Sequence, residues 1–239
     1  MSGGLHRRFA VAAAVVGVVG SSLIGVDGVS AAGRAVIVPP SVVHSQWRAP
    51  DALTKDALPR HDVLRDRAVD AVAAFDAFLE SRSPIDSARY LRSLASVVAI
   101  VAARTSVPRS DMLAAWRNAS LRHQKAILVG LTTLGTGYLF GSDNPKKGLD
   151  CSGLVAYAWG AAGVDLPLKS DRQLEQGRPV SRDEAHAGDI VWYPGHTMIY
   201  LGIGDIVLHS ARPNLGVRVG TINWKEATNV RFANPAPVA

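Results

Sequence analysis

The sequence predicts an α+β fold in which one helix packs on an antiparallel sheet and a helical module precedes both. Three observations lead there. Apolar residues recur at helical spacing between residues 61 and 134, the character of the chain changes at Gly135-Thr136-Gly137, and five short β-type runs come after residue 188. Connections as short as those between the runs join antiparallel neighbours, and a helix laid on such a sheet defines the class.

Residues 1–32 read as a secretory signal peptide. A basic start (His6, Arg7, Arg8) leads into an apolar stretch from 9 to 26 and a small-residue ending, Val29-Ser30-Ala31-Ala32. The residues after Arg7-Arg8 fit a twin-arginine signal poorly. Left uncleaved, the apolar stretch, about 18 residues long, reaches the length of a bilayer span, and only then is the membrane a partner. Either way the folded part is expected outside the cytoplasm, secreted or associated with the cell wall. Residues 33–59, with Pro39-Pro40 and Pro50 and no sustained period, read as a linker or extended arm.

The helical module spans 60–119. Val63, Leu64, Val69, Val72, Phe75, Phe78 and Leu79 mark its first helix, and Ser83-Pro84-Ile85-Asp86 ends that helix and caps a second through Leu91, Leu94, Val97, Val98 and Val101. A third helix starts near Ser110-Asp111. From Met112 to about Leu134 the chain is either one bent helix or two, with Asn118-Ala119-Ser120 as its weak place. Two roles are open to the module: a packing extension of the sheet-bearing domain, or a device that positions the protein or covers its groove.

Residues 120–232 form the second domain and 233–239 a tail. The β-type runs are 189–193, 196–201, 206–210, 217–221 and 230–232, separated by Pro194-Gly195, Gly204-Asp205 and Pro213-Asn214. The formal charge of +6, which loss of Arg7, Arg8 and Asp27 with the leader would lower by one, suits an anionic wall polymer or lipid headgroup. Nucleic acid is excluded as a partner by export and by the absence of a basic, aromatic-laced motif.

The chain has one cysteine. An oxidising compartment favours paired cysteines, so Cys151 is a free thiol, an intermolecular bridge or an inert core residue, and its neighbours must decide. Leu154, Val155, Ala158 and Trp159 share one side of a helix stopped by Gly163, which puts Cys151 at the helix N-terminus. Free N–H groups and the helix dipole favour thiolate there, so the acidity of Cys151 is expected to rise. Hydrolysis also needs a proton for the leaving amine and donors for the oxyanion. Of seven histidines, His196 and His209 fall in the β region, where a hairpin would bring both rings to one side of the sheet, His196 beside the sulfur and His209 behind it. His6 goes with the leader, and His44, His61, His123 and His186 receive ordinary readings. A zinc site from Cys151, His196, His209 and Asp189 is the alternative, but the close ligand pairs of zinc motifs are missing. No metal or other cofactor is expected.

Five blocks in order carry a resemblance: Gly137-Tyr138-Leu139-Phe140-Gly141, Leu149-Asp150-Cys151-Ser152-Gly153-Leu154-Val155, Ala187-Gly188-Asp189-Ile190-Val191-Trp192-Tyr193, the run 196–202, and Val207-Leu208-His209-Ser210. Together they resemble the NlpC/P60 family of cell-wall peptidases over roughly residues 120 to 232. The resemblance implies a papain-like fold and a peptidoglycan endopeptidase that cuts stem peptides, typically between D-glutamyl and a diamino acid. It implies Cys151 as nucleophile, His196 as base and then acid, His209 as the orienting third member and Tyr138 as support for the oxyanion. Asp150, Ser152, Phe140 and Ser170 would line the substrate side. Phe140 stands where the family usually has Trp, which keeps a stacking face and loses an N–H donor. Lys169 stands where members that grip the free amine of a trimmed stem peptide have an acid, which points to intact or cross-linked wall. A non-cleaving wall-binding protein on the same fold, or an acyltransferase or amidase with the same three residues, are the alternative functions.

Overall fold

The computed structural model describes residues 62–224, 227 and 229–236. The expected signal peptide and arm lie outside the described residues, as does the end of the tail.

Four helices come first. α1 (Val63–Ser81) is capped by Asp62, whose side chain accepts from the Leu64 N–H, and α2 (Pro84–Thr105) is capped by Ser83, which accepts from Asp86 N–H. The segment read as either one bent helix or two is two, α3 (Arg109–Asn118) and α4 (Leu121–Thr132). The break falls where Ser120 leaves helical geometry and caps α4 through the His123 N–H. A serine that can hydrogen-bond the backbone ahead of it favours a new start over continuation.

A two-residue antiparallel ribbon, β1 (Asp143–Asn144) with β2 (Gly148–Leu149), leads directly into α5 (Cys151–Ala161). Next come α6 (Ser170–Gln176) and the strands β3 (Arg178–Val180), β4 (Ile190–Tyr193), β5 (His196–Tyr200), β6 (Ile206–Ser210), β7 (Val217–Thr221) and β8 (Arg231–Asn234). They form one antiparallel six-stranded sheet of order β3-β8-β4-β5-β6-β7. The five expected runs are all strands. β3, the small ribbon and α6 are too short for hydrophobic periodicity to reveal.

The helical module is not a separate body. Leu64, Phe75, Leu94 and Val98 of α1 and α2 belong to the same buried cluster as Ile127 and Leu128 of α4, Leu154 and Trp159 of α5, and Ile190, Ile199 and Leu208 of the sheet. α4 therefore buries apolar residues on every side, which is why ten of its twelve positions are buried. Residues 62–119 share one buried core with the sheet-bearing part. Among the described residues no helix is long and apolar enough to cross a membrane.

Polar ties cross the same junction. Trp116 donates its indole N–H to Leu201 O over 2.9 Å. His123, 3% exposed, puts Nε2 3.0 Å from Oδ1 of the fully buried Asp189, its Nδ1 lies 2.6 Å from Ser120 Oγ, and Trp159 packs edge-on against its ring. Asp189 accepts from the His186 N–H with its other oxygen. A buried carboxylate left without its partner is costly, so His123→Ala should lower unfolding free energy by about 3 kcal/mol, measured by denaturant titration. A loss under about 1 kcal/mol, the range of an exposed pair, would mean that the pair is not a structural tie.

Candidate active site

The site is built from the first turn of α5. Asp150 precedes it in extended geometry and spends both oxygens locally: Oδ1 accepts from Gly153 N–H at 2.6 Å and Ser152 Oγ at 2.9 Å, and Oδ2 accepts from Gly141 N–H at 2.6 Å. One carboxylate thus caps the helix and anchors the loop carrying Tyr138 and Phe140. The turn lies so close to that loop that a Cβ on Gly153 would be 2.0 Å from Ser142 O. The Asp-Cys-Ser-Gly run is in this sense a packing requirement as well as a chemical one.

These contacts involve two residues expected to line the substrate side. Asp150 and Ser152, read as substrate-lining, are each 5% exposed and turned inward, with Ser152 Oγ also 3.1 Å from Leu168 O. Their polar atoms are consumed in fixing the helix start. Phe140, by contrast, is 86% exposed and free to meet a ligand. Ser170 opens α6, and Gln173 of that helix donates to Ser152 O and Pro167 O, both at 2.8 Å, tying α6 to the base of the site.

Cys151 is 8% exposed, with the backbone N–H groups of Thr197, Ser152 and Cys151 itself near enough to its sulfur to favour the thiolate. Thr197 comes directly after His196, so the sulfur rests against the first residues of β5. Burial nevertheless pushes the thiol above its ordinary value of 9.0, and the Asp150 carboxylate adds to the rise, together outweighing the three N–H groups. The expected gain in acidity is therefore not met: the helix N-terminus acts as supposed, but in a site too dry for it to win. Tyr138, raised by burial and then by its proximity to Cys151 and Asp150, stays a protonated donor beside the sulfur.

Both imidazoles are there. His196 Nε2 lies 3.0 Å from His209 Nδ1, with ring centroids 5.3 Å apart, and Tyr193 packs on the other side of His196 at 5.3 Å. Side chains alternate along a strand, so His196 and Met198 of β5 share a face with Val207 and His209 of β6, while Ile199 and Leu208 turn to the helices. Burial pushes His196 down to about 4, and burial followed by the charges of His196 and Arg218 pushes His209 down to about 4. Both rings are neutral at pH 7. With neutral rings one proton lies between Nε2 and Nδ1, and when His196 carries it, Nδ1 of His196 keeps its lone pair.

The structure thus pairs His196 with His209, and it sets Tyr138 and Thr197, the residue after His196, near Cys151. Asp189, the fourth residue of the zinc alternative, is instead engaged with His123 and His186. Sequence reasoning missed the Thr197 N–H, since a backbone donor leaves no signature in residue type.

Residues 135–231 match the model of the NlpC/P60 family. They are an NlpC/P60 domain. The helix bearing Cys151, laid on an antiparallel sheet, is the papain-like arrangement expected of it. The chain is similar, at 38% identity over 78 residues, to the bifunctional muramidase/DL-endopeptidase CwlT of Bacillus subtilis, a match covering 29% of this chain and 24% of that one. It is also similar, at 32% over 106 residues, to the peptidoglycan endopeptidase RipA of Mycobacterium tuberculosis, covering 38% of this chain and 22% of the relative. The chain spans less than a quarter of the length of either. Among solved structures, the P60 domain of a Mycobacterium avium subspecies paratuberculosis antigen aligns with a TM-score of 0.44 and 24% identity over 49% of this chain and 96% of that domain.

Two pH responses are expected of the NlpC/P60 site. Alkylation of Cys151 by iodoacetamide should keep accelerating up to and beyond pH 9, because thiolate is scarce below that. A plateau already reached near pH 6 would instead reveal a preformed thiolate. Folded His196 and His209 titrate near 4 against an ordinary 6.5, so an unfolded chain takes up protons below pH 6.5 that the folded one refuses. Melting temperature should therefore fall between pH 6.5 and 4 on account of these rings and be indifferent to them above 6.5. His209→Asn should flatten part of that slope, and an unchanged slope would contradict the burial account.

Proposed function

We propose that the protein is an exported cysteine endopeptidase that hydrolyses peptidoglycan stem peptides at the bond between D-glutamyl and a diamino acid, using Cys151, His196 and His209. The observations that carry this are the 3.0 Å contact between the imidazoles and a helix-borne thiol set near the Thr197 N–H, one residue past His196. Similarity to two endopeptidases, one named for DL bonds and one for peptidoglycan, supports the substrate class. The leader-like residues 1–32 and the wall-acting relatives support an extracytoplasmic site of action, with anionic wall polymers as further partners of the positive charge.

With thiol and imidazoles neutral at rest, proton transfer accompanies attack. As Sγ bonds to the scissile carbonyl carbon, the thiol proton passes to Nδ1 of His196, and the C=O electron pair moves onto oxygen. That oxyanion finds backbone N–H groups at the start of α5 and the Tyr138 hydroxyl. The imidazolium, stabilised by His209, donates its proton to the departing amine as the C–N bond breaks, leaving a thioester on Cys151. Water, deprotonated by His196, then adds to the thioester carbonyl; the C–S bond breaks, the sulfur takes the proton back from His196, and the acid leaves. Lys169, where a free stem-peptide amine would be repelled, favours intact or cross-linked wall over trimmed peptides.

The test is incubation of the protein and of Cys151→Ala with purified peptidoglycan and synthetic stem peptides, then mass spectrometry of the products. Fragments cut after D-glutamyl are expected from the parent, with at least a 1000-fold loss in the variant, on the order seen when a nucleophile is removed. Tight binding by both proteins without fragments would replace the enzyme with a wall-binding protein. Transfer of the acyl group to an added amine in preference to water would make it an acyltransferase.

A further inference from the structure

Gly220 lies in β7, with a φ outside the left-handed region, so its own conformation does not call for glycine. Space does. A Cβ built on it would stand 2.9 Å from His209 Nε2, 3.5 Å from Cδ2 and 3.8 Å from Cε1, whereas ordinary contact begins near 3.4 Å. The register pairs His209 with Arg218 and Gly220 with Val207, so the His209 ring leans along β7 and its far edge rests on the bare Cα of Gly220. The opposite nitrogen, Nδ1, is the one that meets His196.

We propose that Gly220 is a positioning residue for the imidazole pair: the missing side chain is the seat that sets the tilt of His209 and hence the line from its Nδ1 to His196 Nε2. A methyl group would press on Nε2 and move the ring by about half an ångström. The ring would then crowd the 3.0 Å contact or swing off its axis, and His196 would lose the orientation it needs to accept the thiol proton. The seat is not a substrate contact, so its effect falls on the chemical step. This inference rests on the Cys-His-His reading of the site.

The position has an opposite expectation if it is merely structural. Glycine weakens strands, and alanine at a conformationally compatible site restricts the unfolded chain, so Gly220→Ala in a spacious strand would raise the melting temperature and leave the rate alone.

The experiment compares the full chain with Gly220→Ala, His209→Ala and the double variant on one synthetic stem peptide, recording kcat, KM, the pH profile and melting temperature. Gly220→Ala is expected to lower kcat at least tenfold with KM within twofold and to shift the acid limb of the pH profile. In the His209→Ala background the same change is expected to cost no further rate and to restore or raise the melting temperature, because the ring it strikes is gone. A single variant that keeps kcat within twofold and the parental pH profile overturns the proposal, as does an equal loss of rate or folding in both backgrounds. Failure of Gly220→Ala to fold while the double variant folds supports the clash. Should His209→Ala itself keep full activity, the three-residue reading falls and this inference with it; should His209→Ala be impaired and Gly220→Ala not, only the seat falls.

Discussion

The geometry depends on how the first turn of α5 is fixed. A helix N-terminus is free to fray unless its N–H groups find acceptors, and here one side chain, Asp150, takes that of Gly153 together with the Ser152 hydroxyl, and takes the Gly141 N–H of the preceding loop as well. The same carboxylate thereby holds the loop of Tyr138 to the helix of Cys151. Close approach completes the arrangement, since Gly153 alone lets the turn lie on the Ser142 carbonyl. The sulfur is thus delivered to the start of β5 by packing, before any chemistry among side chains.

That placement produces an electrostatic character unlike a preformed ion pair. Burial raises the thiol and lowers both imidazoles to about 4, so the resting state is neutral throughout. In the proposed mechanism, charge separation then belongs to the reaction, where the Thr197 and α5 N–H groups and the second imidazole have most to stabilise. A neutral, 8% exposed thiol is also a poor nucleophile toward oxidants and disulfides. That answers how a single unpaired cysteine could persist in the oxidising compartment proposed for the protein.

Much of this was legible in the sequence because the relevant signals are periodic or local. The strand at 206–210 announces itself by alternation, Ser83 and Ser120 announce helix starts, and the lone cysteine between Asp150 and Gly153 marks a capped turn. What escaped depends on dryness and proximity. Nothing in residue order states how far burial offsets a helix dipole at Cys151, that Asp150 and Ser152 turn inward, or that His123 finds Asp189 across 66 positions. The continuity of the core through α4 was equally hidden, since apolar residues on all faces of a helix reveal burial without saying by what.

The central claim, a neutral thiol served by a neutral, directionally hydrogen-bonded imidazole pair, is most directly read by 15N NMR of histidine-labelled protein at pH 7. The account predicts two neutral imidazoles, with His196 protonated on Nε2, unprotonated on Nδ1, and its proton shared toward His209 Nδ1. A His196 ring protonated on both nitrogens, or one protonated on Nδ1 alone with no coupling to His209, would contradict it.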